Sequence, residues 1–164
     1  MGRQVKILNT DLAYIAGFLD GDGSVIVQVK NRKDTPKGWR LMFTICFYQD
    51  SRHEKPLLWI QKKLGIGYIS QRKDGITELR INGYEQTRNI LEKLYPYLKF
   101  KKKQTKYVLQ ILKLLEPKRS LFEIKKKDRI RIVNAILKSR KETYQSGLKK
   151  MKKLKSDLKK IIES

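Results

Sequence analysis

The chain reads as an α+β fold of order αββαββα, with a curved four-stranded antiparallel sheet and additional C-terminal helices. Two observations predict it. Four short segments alternate apolar and polar residues with the period of a half-buried strand, and they come as two hairpin-like pairs. Each pair is introduced by a segment whose apolar residues recur at helical spacing, and further helical segments follow.

Taken in order, Thr10 is the expected N-cap of a helix from Asp11 to about Gly21, with Asp11 favourable in its first turn. Gly23 is expected to end it as a left-handed C-cap. Val25 to Lys30 sets Val25, Val27 and Val29 against Ile26, Gln28 and Lys30. Arg40 to Phe47 sets Leu41, Phe43, Ile45 and Phe47 against Arg40, Met42, Thr44 and Cys46. Between them the polar stretch Asn31 to Gly38 is long and basic for a hairpin, which suggests a tip that reaches a partner. Lys55 to Leu64 reads as a helix with Pro56 in its first turn, Leu57, Leu58, Ile60 and Leu64 inward, and Gly65 as its stop.

Gly67 to Arg72 and Thr77 to Asn82 form the second hairpin, closed by Lys73-Asp74-Gly75. Ile69, Leu79 and Ile81 face the core, leaving Tyr68, Ser70, Arg72, Glu78 and Arg80 outward. Helices follow over Glu85 to Tyr95, Lys101 to Leu115 and Leu121 to Leu137, separated by Pro96 and Glu116-Pro117. Residues 1–137 read as one domain. Residues 138–164 read as its basic tail, with Leu148, Met151, Leu154, Leu158 and Ile161 at helical spacing. That tail is either an amphipathic helix lying on its own subunit or an extra surface for DNA or for a second copy.

Composition narrows the partner. With 39 Lys plus Arg against 16 Asp plus Glu, the 164 residues carry +23, and self-repulsion of that size points to a polyanion as the usual companion. A membrane surface is the rival, but the basic residues are spread over strands, loops and helices, so no membrane association is expected. Cys46 is the only cysteine, which excludes an intrachain disulfide and a cysteine-based zinc site and makes a reducing, intracellular compartment the default. No signal peptide or transmembrane run is read.

The first helix carries the chemistry. Ala13, Gly17 and Gly21 recur at i, i+4 and i+8, a seam on which a second helix can pack closely. Asp20 and Asp22 fall at the C-terminal end, where the helix dipole and unpaired carbonyls already concentrate negative charge. Acids there cost stability unless a cation sits among them, and a hard divalent ion suits such oxygens. Asp20-Gly21-Asp22-Gly23 is also ordinary turn chemistry between a helix and a strand.

The whole run Ile15-Ala16-Gly17-Phe18-Leu19-Asp20-Gly21-Asp22-Gly23 resembles the LAGLIDADG motif position for position. The chain looks like a LAGLIDADG homing endonuclease of the single-motif, homodimeric group, with weaker echoes over roughly residues 11 to 110. The resemblance implies metal-dependent hydrolysis of a DNA double strand, leaving short 3′ overhangs, by an enzyme encoded in an intron or similar mobile element. It implies Mg²⁺, with Mn²⁺ or Ca²⁺ as substitutes and Ca²⁺ expected not to activate. Asp22 matches the motif's metal-binding acid, with the Gly21 carbonyl as its companion. Asp20 either approaches the metal indirectly or caps neighbouring backbone.

Gln49 resembles the family's solvent-organising glutamine and Lys101 its lysine near the scissile phosphate, although a basic helix start in so basic a chain needs no special role. His53 stands where related enzymes commonly carry Arg or Lys. This is a departure, and His53, its neighbour Arg52 or neither fills that position. The outward strand residues Ile26, Gln28, Lys30, Arg32, Arg40, Met42, Thr44, Cys46, Tyr68, Ser70, Arg72, Glu78 and Arg80 mix the hydrogen-bonding types that read base edges, so double-stranded DNA is expected on that face. One motif per chain then implies a homodimer through Ala13, Gly17 and Gly21, with both Asp22 side chains brought together and a nearly palindromic target. The alternatives are a non-cutting DNA-binding regulator and an intron RNA maturase of the same fold. The compartment expected is a chloroplast or mitochondrion in a eukaryote, or a prokaryotic cytoplasm.

Overall fold

The computed structural model of the protein describes residues 7–34, 38–116, 124–143 and 148–163. Its elements run α1 (Asn9–Asp22), β1 (Gly23–Asn31), β2 (Trp39–Asp50), a 3₁₀ turn (Ser51–His53), α2 (Lys55–Leu64), β3 (Tyr68–Gln71), β4 (Ile76–Asn82), α3 (Tyr84–Leu94), α4 (Lys102–Leu115), α5 (Lys126–Lys141) and α6 (Leu148–Glu163). The expected αββαββα order with extra helices is the observed one. The strands form one sheet in the order β1-β2-β4-β3, with β4 antiparallel to both its neighbours. No helix among the described residues is long and apolar enough to cross a membrane.

Two compact units share the chain: Met1–Ile26 with Met42–Lys102, and Val27–Leu41 with Lys103–Ser164. In the first, Ile15 and Leu19 of α1, Phe43, Ile45 and Phe47 of β2, Leu57 and Ile60 of α2, and Leu79 and Ile81 of β4 are buried. Each large apolar side chain removed from water contributes roughly 2 kcal/mol. Phe18 meets Phe47 with ring centroids 6.2 Å apart, and Phe43 meets Tyr84 edge-on at 5.0 Å. A 2.8 Å ion pair between Asp11 and Lys63 ties α1 to α2. In the second unit, Ile132, Val133 and Ile136 of α5 and Leu158 and Ile161 of α6 are buried. There Arg140 donates to the Val27 carbonyl at 3.1 Å.

Several expectations are corrected. Helix α1 begins before Thr10, because the Asp11 carboxylate turns back to accept the Leu8 N–H at 3.2 Å, and Thr10 falls inside the first turn. Gly23 is not a left-handed cap. Its backbone is extended, with φ −130°, and the chain passes directly from helix to strand. Glycine is required there for another reason: a Cβ would lie 2.6 Å from Leu19 Cδ1 and 2.8 Å from the Leu19 carbonyl oxygen. Leu58 is 44% exposed rather than inward, since α2 buries only the stripe of Leu57 and Ile60. Gly65 does end α2, with φ +66° and its N–H on the Gln61 carbonyl. The β3–β4 turn also forms as read, with Gly75 at φ +80°.

The helix read over Leu121 to Leu137 lies further on as α5, which starts after the extended Lys125. Residues 121–123, and Thr35 to Lys37 of the long basic loop, lie outside the described residues, as do the side chains of Leu148 and Met151. Helix α5 continues through Lys138, so the boundary read between residues 137 and 138 falls inside a helix.

Gly23→Ala is expected to destabilise the fold by about 2 kcal/mol through overpacking against Leu19. Urea denaturation followed by circular dichroism checks this; a variant as stable as the parent contradicts the close approach.

Candidate functional site

The end of α1 is built around Asp20, which is 8% exposed. Its carboxylate accepts backbone N–H groups from Lys99 at 2.6 Å, Phe100 at 3.1 Å and Lys101 at 2.9 Å. These are donors of the turn leading into α4. Lys101 returns the contact by donating from Nζ to the Asp20 carbonyl oxygen at 2.6 Å. That carbonyl is among those without a partner at the end of α1, so the ammonium also offsets the negative end of the helix dipole. Of the two roles left open for Asp20, the geometry is that of a cap on neighbouring backbone.

Desolvation pushes the Lys101 ammonium below its ordinary pKa, while the charges of Asp20 and Asp22 oppose that shift. Lys101 therefore sits within electrostatic reach of both acids. Asp22 and Gly21 are exposed at the same helix end. Ala13 and Gly17 are exposed too, and a Cβ built at Gly17 or Gly21 meets nothing within 4 Å. Packing inside the chain leaves both positions open to a larger side chain.

A second group gathers around Asp50 at the end of β2. Arg52 binds the Asp50 carboxylate through Nε at 3.0 Å and Nη2 at 2.8 Å, which holds that carboxyl well below the usual range. The Arg52 charge is thus compensated in place. His53 is the basic side chain of this turn that stays exposed outside that pair. Gln49 Oε1 accepts the Asp50 N–H at 2.9 Å. Glu54 accepts from Gln71 and Thr77, both at 2.9 Å, and so braces the turn against the β3–β4 hairpin. The contacts of Gln49 and Arg52 are thus made to Asp50 rather than to the acids at the end of α1.

The outward sheet face differs from expectation at Thr44, Cys46 and Glu78, which are 6%, 0% and 6% exposed. Thr44 donates to Asn82 Oδ1 at 2.7 Å and Asn82 donates to the Tyr68 hydroxyl at 3.3 Å, linking β2, β4 and β3 across the sheet. Cys46 bonds Tyr48, and burial pushes its thiol up, so it has neither surface nor charge to offer a partner. Met42, Ser70 and Arg80 are half-buried, while Tyr68 and Arg72 are exposed. In the second unit Lys30, Arg32 and Arg40 are exposed and Gln28 is half-buried. Arg32 grips Asp34 at 2.9 and 2.8 Å and lowers its carboxyl to about 2.

Sequence reasoning missed the backbone of Lys99 and Phe100, because N–H groups leave no trace in residue type. Asp50 and Asp74, which occupy arginines, were also missed. An acid two residues from an arginine was the available signal.

The metal question turns on donor chemistry. Among the described residues no three His, Cys, Asp or Glu side chains gather where they could hold an ion. Asp22 and the Gly21 carbonyl supply hard oxygens only. That set fits Mg²⁺, which keeps several waters and takes one or two carboxylates, and it leaves room for donors from elsewhere.

The sequence pattern of the family described as LAGLIDADG endonuclease matches residues 15–115. The chain is 39% identical over 103 residues to DNA endonuclease I-CvuI of Chlorella vulgaris, covering 63% of this chain and 64% of that protein. It is 33% identical over 104 residues to DNA endonuclease I-CreI of Chlamydomonas reinhardtii, covering 63% of each. The match thus spans less than two thirds of either curated relative's length. In three dimensions it is similar to I-CvuI in complex with the I-CreI target in 2 mM Mg, with the DNA not cleaved: TM-score 0.69, 32% identity, 93% of this chain and 94% of that one. The matched residues run from α1 through both hairpins to the end of α4, and the chain belongs to the LAGLIDADG endonuclease family.

Proposed function

We propose that the protein is a site-specific homing endonuclease that breaks both strands of a long, nearly palindromic DNA site, with 3′ overhangs, by divalent-metal-dependent hydrolysis. The observation that carries this reading is the exposed Asp22 beside a lysine fixed by Asp20. Asp22 and the Gly21 carbonyl would hold Mg²⁺, which, when bound, supplies an activated water and charge relief at the phosphate. Lys101 places a fixed cation at the same helix end, where phosphate charge develops. Asp20 acts through it, as a positioning residue. Gln49 would organise solvent around the metal, and His53 would fill the peripheral basic position in preference to Arg52, whose charge Asp50 already balances.

Each subunit would meet DNA through Ile26, Met42, Tyr68, Ser70, Arg72 and Arg80 of one unit and Gln28, Lys30, Arg32 and Arg40 of the other. Thr44 and Glu78 contribute from beneath, and Cys46 drops out because it has no surface. Two strands require two acidic helix ends, so a second copy packs on Ala13, Gly17 and Gly21 about a two-fold axis. The open space around Gly17 and Gly21 is what such a seam requires. A lone, buried cysteine suits a reducing compartment such as an organelle or a prokaryotic cytoplasm.

Asp22→Asn is expected to abolish cleavage of a selected target in Mg²⁺ while leaving its binding largely unchanged. A variant that cuts at the parent rate defeats the assignment. Asp20→Ala should cost roughly 2 kcal/mol of stability by removing the acceptor of three backbone N–H groups and should lower kcat along with it; an unaltered melting curve speaks against the cap. Gly17→Leu should leave the monomer folded, since nothing inside the chain opposes the side chain, yet convert a dimer to monomer in sedimentation. Persistence of the dimer would place the interface elsewhere.

A further inference from the structure

On the outward face of the β2–β4–β3 ladder, Glu78 of β4 lies between Tyr48 and Ser70, and Arg80 between Cys46 and Tyr68. The Glu78 side chain is 8% exposed, and both its oxygens are taken: Oε1 by Arg72 Nη1 at 3.2 Å and Oε2 by Arg80 Nη1 at 2.8 Å. Arg72 is held a second time, by Asp74 at 2.6 Å. Two guanidinium groups therefore meet two carboxylates, and this patch carries no net charge in a chain of +23. Its neighbours on the same face, Thr44, Asn82, Tyr48, Tyr68 and Ser70, are neutral.

A surface built to attract phosphate would leave its arginines unpaired, because affinity for the backbone grows with each phosphate neutralised. Compensated arginines attract the backbone weakly, yet they keep directed N–H groups for base edges. A carboxylate so enclosed cannot accept from a cytosine amino group. We propose that Glu78 is a specificity-determining positioning residue: it touches no base, but holds Arg72 and Arg80 as a fixed, charge-balanced pair that reads guanine edges. Attraction to the backbone is left to cations elsewhere on the chain. This rests on the DNA-binding reading above. A carboxylate in this place sacrifices non-specific affinity and gains discrimination.

The test compares the full chain with Glu78→Gln on two duplexes, one selected by the parent from a randomised library and one of random sequence, over a series of salt concentrations. Glu78→Gln should bind random duplex several-fold tighter at low salt. Its salt slope should steepen by about 0.9 for each additional phosphate engaged, and its preference for the selected duplex should fall about tenfold. In an Arg72→Ala/Arg80→Ala background the same substitution should no longer change that preference, as a residue acting only through those arginines requires.

Unchanged slope and preference overturn the proposal, as does an effect confined to one C·G pair, which would make Glu78 a direct reader of cytosine. An effect that persists without the arginines overturns it too. Should Glu78→Gln fail to fold, Arg72→Ala/Arg80→Ala decides alone: it should erase the preference at one cluster of base pairs, and an unchanged selection profile refutes the idea. A parent that binds no duplex at all refutes the DNA reading instead.

Discussion

Everything at the end of α1 depends on one carboxylate. Asp20 gathers three N–H groups from residues up to 81 positions further along the chain, and Lys101 closes the loop onto its carbonyl. A hydrogen bond to a charged acceptor contributes about 1.5–3 kcal/mol, and here a buried acceptor meets part-buried donors, so this cluster ranks with the larger single contributions to the fold. It also fixes geometry. Because the same carboxylate orients the backbone of Lys101 and belongs to the helix that ends in Asp22, acid and cation cannot drift apart without breaking several bonds at once. Two acids two positions apart thus differ in setting: Asp20 is buried and holds backbone, and Asp22 is exposed.

Charge is distributed with similar division. The whole chain is strongly cationic, but many of its acids sit beside an arginine: Asp34 with Arg32, Asp50 with Arg52, Asp74 and Glu78 with Arg72 and Arg80. Exposed pairs of this kind add little stability, typically below about 1 kcal/mol. Their consequence is orientation. An arginine tied by two bonds presents its remaining donors in a fixed direction, whereas a free lysine acts as a mobile point charge. Sixteen acids among 39 bases therefore shape a surface as well as diluting its charge.

The α1 helix has two unlike faces. Ile15, Ala16 and Leu19 are buried within the chain, while Ala13, Gly17 and Gly21 face outward, and at Gly17 and Gly21 nothing inside the chain opposes a Cβ. Gly23 is the opposite case, for its hydrogen is all that Leu19 leaves room for. Glycines of one motif thus differ: packing inside the chain requires Gly23 to be glycine and makes no such demand at Gly17 or Gly21.

The sequence by itself determined the element order, the family and the inward set of β2 and β4, because strand and helix periods and the Ile15 to Gly23 run are local signals. It located α2, Gly65 and the Gly75 turn, since these depend on neighbouring residues alone. It misplaced the starts of α1 and α5, where a cap formed by Asp11 and an extended Lys125 outweighed residue preference. It also took Thr44, Cys46 and Glu78 for open surface, because alternation assigns a face but cannot say what side chains from adjacent strands fold over it. Tertiary structure alone decided what Asp20 does, which arginines are spoken for and why Gly23 is glycine: each is settled by atoms that meet only when distant or neighbouring backbone is brought within hydrogen-bonding or van der Waals contact.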